Sequence, residues 1–535
     1  MDFTSTYDDT NWFVAYLPAI LKIQKCSNIN LLLFYVFVVF LICGLTNWAF
    51  SSGGPAWKNG RHQMGRIPIP GPNGLPIFGS LFSLSHGLAH RKLARMASSH
   101  AARKLMAFSL GSTPVVVTSD TCIAREILTN PHFGNRPIKE SAKQLMFSQA
   151  IGFAPNGSHW RMLRKIASTH LFAPKRILAH KGARQLECSA MLSAIAEEQS
   201  LKGYVQLRKH LQAASLSTIM EIVFGKKYNT MKHDDEAQEL NELVREGFEL
   251  LGAFNWSDHL PWLKYFYDPF RVQERCEALV PRVKKLVKKI IQEHRDRDDH
   301  KSCDDYDFVD VLLSLNGEEK LDEDDMVAVL WEMIFRGTDT TALLTEWIMA
   351  ELILNPKIQA NLHNQLHNLV QTNSTDDITR SSAYLEAVVK EALRRHPPGP
   401  LLSWARLAKS DVHLSNGMLI PANTTAMVNM WAITHDPRIW NDPYIFRPER
   451  FLPYAGGENV DVRGCDMRLA PFGAGRRVCP GRSLGLASVC LCVAKLVHEF
   501  EWIGDKCRAV DLSEELKLSC QMKMPLSAIV IPRVN

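Results

Sequence analysis

The sequence predicts a mainly α-helical chain with small β-sheets, in the α+β class, with a single N-terminal transmembrane helix. Three observations carry this. Helical patterning dominates the chain after its first 80 residues. Stretches rich in β-formers are few and short, as at Thr113 to Thr118 and Val412 to Met430. Ile29 to Phe50 carries no charge.

The charge-free stretch reads INLLLFYVFVVFLICGLTNWAF. As a helix it would be about 33 Å long, close to the hydrocarbon thickness of a bilayer. Tyr35, Trp48 and Phe50 suit the membrane interface. A buried core helix rarely runs this long without a charge. Ser51-Ser52-Gly53-Gly54 only faintly resembles a cleavage site, so retention is preferred over a cleaved signal peptide. Lys22 and Lys25 precede the span, whereas Lys58, Arg61 and Arg66 follow it, which places the body on the cytosolic side. Next comes Arg66 to Pro76, whose prolines enforce extended geometry and predict a stiff, non-helical spacer.

With 46% hydrophobic residues, no internal repeat and no second composition regime, the remainder reads as one body. The chain thus divides into a tail (1–28), an anchor (29–50), a linker with the proline-rich hinge (51–80) and a catalytic body (81–535). The net charge of +6 is spread along the chain, which argues against nucleic acid as a partner.

The best-defined helix is predicted from about Asp322 to Leu354. Asp322 to Asp325 supply a cap and negative charge at its N-terminus, and Asn355-Pro356 ends it. At about 48 Å it would cross a whole domain. Such a helix is unusual in a soluble body and suggests a central scaffold.

Twelve cysteines are scattered with no CxxC pair, and Cys490 and Cys492 stand too close together for a zinc half-site. Most are expected to be buried thiols in a reducing compartment. Cys479 differs, because it sits in Pro471-Phe472-Gly473-Ala474-Gly475-Arg476-Arg477-Val478-Cys479-Pro480-Gly481. The glycines permit tight turns and close approach to a flat ligand. The adjacent arginines are expected to favour a thiolate. The apolar run from Leu484 places the loop at a helix start, where backbone N–H groups reach the sulfur.

Phe, Gly, Arg, Cys and Gly at this spacing resemble the haem-binding signature of the cytochromes P-450. Further motifs of that family follow in its order. Glu391-Ala392-Leu393-Arg394 resembles ExxR, Phe446 to Phe451 the segment whose Arg450 completes its clasp, Trp160 to Arg164 the WxxxR motif, and Arg336-Gly337-Thr338-Asp339-Thr340-Thr341 the oxygen-activation motif. The wording of the cysteine loop and hinge is similar to plant A-type microsomal enzymes. Phe335 to Thr340 resembles the 78A subfamily, the KLUH and Plastochron group linked to control of organ growth.

The resemblance implies the cytochrome P-450 fold and haem b (iron protoporphyrin IX), with Cys479 as the iron's axial ligand and Phe472 packed near it. It implies Arg477, Trp160, Arg164 and Arg406 as propionate partners, and Glu391, Arg394 and Arg450 as a structural clasp. Asp339 would relay protons and Thr340 would hydrogen-bond at the oxygen-activating centre. It further implies an endoplasmic reticulum membrane protein that hydroxylates a lipophilic substrate, with a fatty acid as the analogy. Electrons would come from NADPH through NADPH–cytochrome P-450 reductase, docked near Arg476, Arg477 and Arg482.

Substrate contacts are expected from Phe133 to Phe153, Glu246 to Trp262, the long helix, and Leu401 to Trp404. Arg336 departs from the family, which has Ala or Gly there; it is expected to pair with Asp339 or to hold an acidic substrate group. Two alternatives remain at this point: a haem-thiolate isomerase or dehydratase, against which the Asp339–Thr340 pair argues, and a non-catalytic haem sensor.

Overall fold

The computed structural model describes residues 28–49, 52–57, 61–226, 235–265, 267–297, 306–372, 382–402, 405–505 and 507–533. The tail up to Ser27, Phe50, Ser51, Lys58, and Ser403–Trp404 at the end of one expected substrate segment lie outside the described residues.

Helices dominate and the sheets are small. The organising element is the helix Glu323–Leu354, 32 residues long. Asp322 caps it by accepting from the Asp325 N–H at 2.7 Å. Asn355 ends it, and Pro356 opens the next helix, Pro356–Thr372, where its missing N–H costs nothing. Met326 to Phe335 are buried on every side, as expected of a helix that runs through a core. Leu207–Phe224 packs along it most extensively, and Gly337 permits the close approach: a Cβ there would sit 2.4 Å from Ile219 Cδ1.

Thr113–Thr118 is a strand within the expected stretch. It pairs antiparallel with Met106–Leu110 and parallel with Thr425–Val428, which in turn pairs with Arg406–Leu407. The expected β-rich segment Val412 to Met430 divides between two sheets. Val412–His413 pairs with Leu419–Ile420, whereas Thr425–Val428 joins the four-stranded sheet.

The proline-rich segment is non-helical, as its prolines require, but it is docked rather than a free spacer. Ile69 is fully buried, the Ala107 N–H donates to Pro70 O at 2.9 Å, and Trp57 Nε1 donates to Phe108 O at 2.9 Å. Prolines exclude helix without excluding burial, and Gly71 lets the segment lie directly on the Met106–Leu110 strand.

Asn28–Ala49 forms a 22-residue helix without a charged residue, and Leu32, Phe37 and Phe40 are exposed on it. Among the described residues, no helix is long and apolar enough to cross a membrane.

The expectation of mostly buried thiols needs correction, since Cys43, Cys122, Cys465 and Cys507 are exposed. A chain this large does not depend on each small apolar side chain for its core.

Candidate active site

The cysteine loop enters the site as a tight turn. Gly473 and Gly475 have positive φ of 70° and 68°, and a Cβ on Gly475 would lie 2.2 Å from Leu128 O. The Cys479 N–H donates to Phe472 O at 3.0 Å, which fixes the sulfur's direction. Helix Arg482–Glu499 begins directly after the loop, and the Gly481 N–H donates to the Cys479 sulfur. Burial pushes the Cys479 thiol up, opposed by Gly481 and by Arg336, Arg164 and Arg136. The adjacent arginines were expected to supply that opposition. The leading cations come instead from elsewhere in the chain, while Arg476 is exposed and Arg477 is turned inward to backbone carbonyls.

The long helix supplies another wall of the same cavity, with Arg336, Gly337, Asp339 and Thr340 lining it alongside Cys479. Asp339 Oδ1 accepts from Gln212 Nε2 at 3.5 Å, and burial raises its carboxyl against hydrogen bonds from Ser519 and Gln212. The expected Arg336–Asp339 pair is not what forms. Arg336 Nε donates to Glu332 Oε1 at 2.6 Å, one helical turn back on the same face. Glu332 also accepts from the Gly152 N–H at 2.8 and 3.1 Å.

Arg136, Arg164, Arg336, Arg406 and Arg477 face one another at one end of the cavity, with Glu332 as the carboxylate acting on them. Burial and the neighbouring cations depress Arg136, Arg164, Arg406 and Arg477. Arg136 falls well below its ordinary value. Arg406 falls to about 10 through burial and Arg164, and Arg477 to about 9 through burial, Arg406 and Arg164. Arg406 is 4% exposed and its Nη1 has no hydrogen-bond partner among the described residues. Such crowding requires anions, and the two carboxylates of haem fit it.

Two expected propionate partners are otherwise engaged. Trp160 Nε1 donates to Ile151 O at 3.0 Å, and Arg477 donates to Gly134 O, Ile151 O and Ala154 O while lying 4.1 Å over the Trp160 ring. Carbonyls of the 134–154 segment point at these donors before any ligand is considered. Arg164 and Arg406 line the cavity, as does Arg136, which the sequence reading missed.

Behind the loop, helix Ala383–Arg395 carries Glu391 and Arg394, both fully buried. Arg394 Nε and Nη2 each donate to Glu391 at 2.8 Å, Arg450 Nε donates at 3.1 Å, and the Arg447 N–H at 2.9 Å.

Of the expected substrate segments, Arg136, Ile151, Gly152, Phe248, the long helix and Leu402 reach the cavity, whereas Phe133 is buried away from it. The missed walls include Leu211 to Val223, and Leu518–Ser519. Neither carries a local signal. Glu332 did have one, its i, i+4 spacing to Arg336.

Residues 69–527 match the Cytochrome P450 family. The chain is 60% identical to Cytochrome P450 78A7 of Arabidopsis thaliana over 98% of both proteins. It is 58% identical to Cytochrome P450 78A11 of Oryza sativa subsp. japonica, covering 98% of this chain and 97% of that one. With Cytochrome P450 78A1 of Zea mays it shares 55% over 98% of each. A match of that extent, laid over a cysteine loop and an acid–alcohol helix on one cavity, leaves one conclusion. The chain belongs to the cytochrome P450 family and is a monooxygenase, with haem as its cofactor and electrons from NADPH delivered by a reductase.

Proposed function

We propose that this is a membrane-anchored, haem-thiolate monooxygenase of the endoplasmic reticulum that hydroxylates a lipophilic substrate, with a fatty acid as the first candidate and organ growth as the process served. The observation that carries it is the shared cavity of Cys479 and the Asp339–Thr340 pair. In this reading Cys479 ligates the iron, and Arg164, Arg406 and Arg136 hold the propionates. Arg477 braces the 134–154 segment beside them. When bound, thiolate-ligated haem supplies the redox chemistry that cleaves dioxygen.

The chain's own residues do the rest. Asp339, with its carboxyl raised by burial, is the group placed to give and take protons, and Gln212 and Ser519 orient it. Thr340 presents its hydroxyl to the cavity one residue on. Ile219, Ile222, Phe248, Phe335 and Leu518 form an apolar wall suited to a hydrocarbon chain. Arg476, exposed, and Arg482, partly so, suit an acidic reductase face; Arg477 is buried and drops out of that set. Support for the anchor is the charge-free Asn28–Ala49 helix with its exposed apolar side chains.

The test is the ferrous–CO spectrum, followed by turnover of a lipid panel with reductase and NADPH, with products identified by mass spectrometry. A thiolate-type Soret band and a hydroxylated lipid are expected. A haem protein without that band would overturn the assignment of Cys479.

A further inference from the structure

Three histidines gather where two helices pack, and none of them lines the cavity. His363 and His367 stand on helix Pro356–Thr372, and His498 stands in the last turn of Arg482–Glu499. Their placement follows from the contact beside them. Leu362 and Leu366 are fully buried in the core that also holds Leu496 and Val497. Successive helical residues lie about 100° apart around the axis. Each histidine follows a buried residue and so comes out at the edge of the interface. His363 and His367, four apart, share one helix face. The three rings form a triangle: the centroids are 5.8 Å apart for His363 and His367, 6.4 Å for His363 and His498, and 6.3 Å for His367 and His498.

Protons suit this cluster poorly. Burial, then Arg533, then His498 and His367 hold His363 below its ordinary value, against a hydrogen bond with Asn364. Neutral imidazole is the form that ligates a metal. His363 Nε2 is buried and has no hydrogen-bond partner among the described residues. At His498, Glu499 Oε1 lies 3.4 Å from Nδ1. A carboxylate there favours the tautomer with the proton on Nδ1 and the lone pair on Nε2, which is the arrangement behind most metal-ligating histidines. Arg533 opposes a cation near His363, and Glu501 in turn acts on Arg533. The His498 side chain keeps 15% exposure, so an ion can enter from solvent.

The spacing is within reach of one ion. Zinc–nitrogen bonds of about 2.0–2.1 Å put the ring centroids around a tetrahedral centre roughly 5 Å apart. The rings must close by about 1 Å, and rotation about χ2, a broad torsion in histidine, supplies that movement. Three imidazole donors suit zinc and copper rather than magnesium or calcium, which take oxygen ligands.

We propose that His363, His367 and His498 bind one divalent transition ion of the zinc class, with water in the fourth position. The ion ties the end of the helix that starts beside the Cys479 loop to the helix that follows the long one. Because the three donors are brought together only by folding, the bound ion stabilises the folded chain.

The experiment uses full-length, haem-loaded protein without a histidine tag, stripped with a chelator and then titrated with Zn2+. Zinc is counted against haem iron by plasma mass spectrometry, and thermal midpoints are recorded with and without Zn2+. Wild type should hold one Zn2+ per haem and melt at a higher temperature with it. His363→Gln, His367→Gln and His498→Gln should each weaken Zn2+ about 100-fold or more and lose the thermal shift, with the ferrous–CO band retained. Glu499→Gln should weaken it about tenfold, as expected for a partner behind a ligand. With Cu2+ as the probe, electron paramagnetic resonance of wild type should show more than one nitrogen on the copper, and His498→Gln should show fewer. The zinc count and the copper spectrum of wild type test the site without any variant. No Zn2+ beyond the haem iron would overturn the proposal, as would Zn2+ held equally by wild type and the three histidine variants. Displacement of Zn2+ by an equal concentration of Mg2+ would overturn the assigned class of ion.

Discussion

Replacing Glu391 by glutamine tests the clasp with almost no change in volume. Glu391 is fully buried and accepts four hydrogen bonds, two from Arg394, one from Arg450 and one from the Arg447 N–H. Glutamine keeps one acceptor oxygen, turns the other position into a donor facing guanidinium N–H groups, and leaves two buried cations without a counter-charge. Breaking a buried ion pair by removing one partner costs about 3–5 kcal/mol. The low end applies here, because both arginines retain backbone acceptors. Arg394 still reaches Thr434 O and Pro443 O, and Arg450 still reaches Asn441 O and Asp442 O. A loss of about 3 kcal/mol is a large share of the ~5–15 kcal/mol that folded proteins possess. Urea unfolding followed by far-UV circular dichroism should show a lowered midpoint, with haem loading reduced in step. The double variant Glu391→Gln with Arg450→Leu separates the causes. If unbalanced charge dominates, removing Arg450 recovers part of the loss; if lost hydrogen bonds dominate, the two costs add. An unchanged midpoint and full haem loading in Glu391→Gln would refute the reasoning.

Gly475→Ala should cost about 2 kcal/mol or more, since φ is positive and the new Cβ meets Leu128 O at 2.2 Å; reduced haem content per folded protein is the readout. Asp339→Asn should leave the ferrous–CO band intact but lower product formed per NADPH consumed about tenfold or more, the contribution of one proton-handling group. Burial works to raise Glu514, but His90 and Arg91 outweigh it and hold the carboxyl at about 2. Its folded value lies below its unfolded one, so roughly 3 kcal/mol of stability is present above pH ~4.5 and is lost as pH falls toward 2; Glu514→Gln should flatten the urea midpoint across that window. His259 is held at about 4 by burial and by Lys139, so it adds stability above pH ~6.5 that declines as pH falls to 4; His259→Asn should remove that part of the acid sensitivity in the same assay.

Local regularities made much of this chain legible from its sequence. Asp322 and Asn355-Pro356 bracket the long helix because caps and prolines act within a turn of where they stand. The Glu391–Arg394 contact follows from i, i+3 spacing, and the glycine turn before Cys479 follows from the residues that compose it. What only the tertiary structure decided are contacts between segments far apart in the chain. Arg476 and Arg477 adjoin Cys479 in sequence, yet the cations that oppose burial of its thiol are Arg336, Arg164 and Arg136, because a tight turn sends neighbouring side chains in different directions. Asp339 meets Gln212 and Ser519, which no spacing rule connects. Arg336 chose Glu332 over Asp339 because both lie within helical reach, and the Gly152 N–H from a loop 180 residues away fixed one carboxylate in place. Sequence determines which groups are near along the chain; packing determines which of them share a buried space and must settle their charges together.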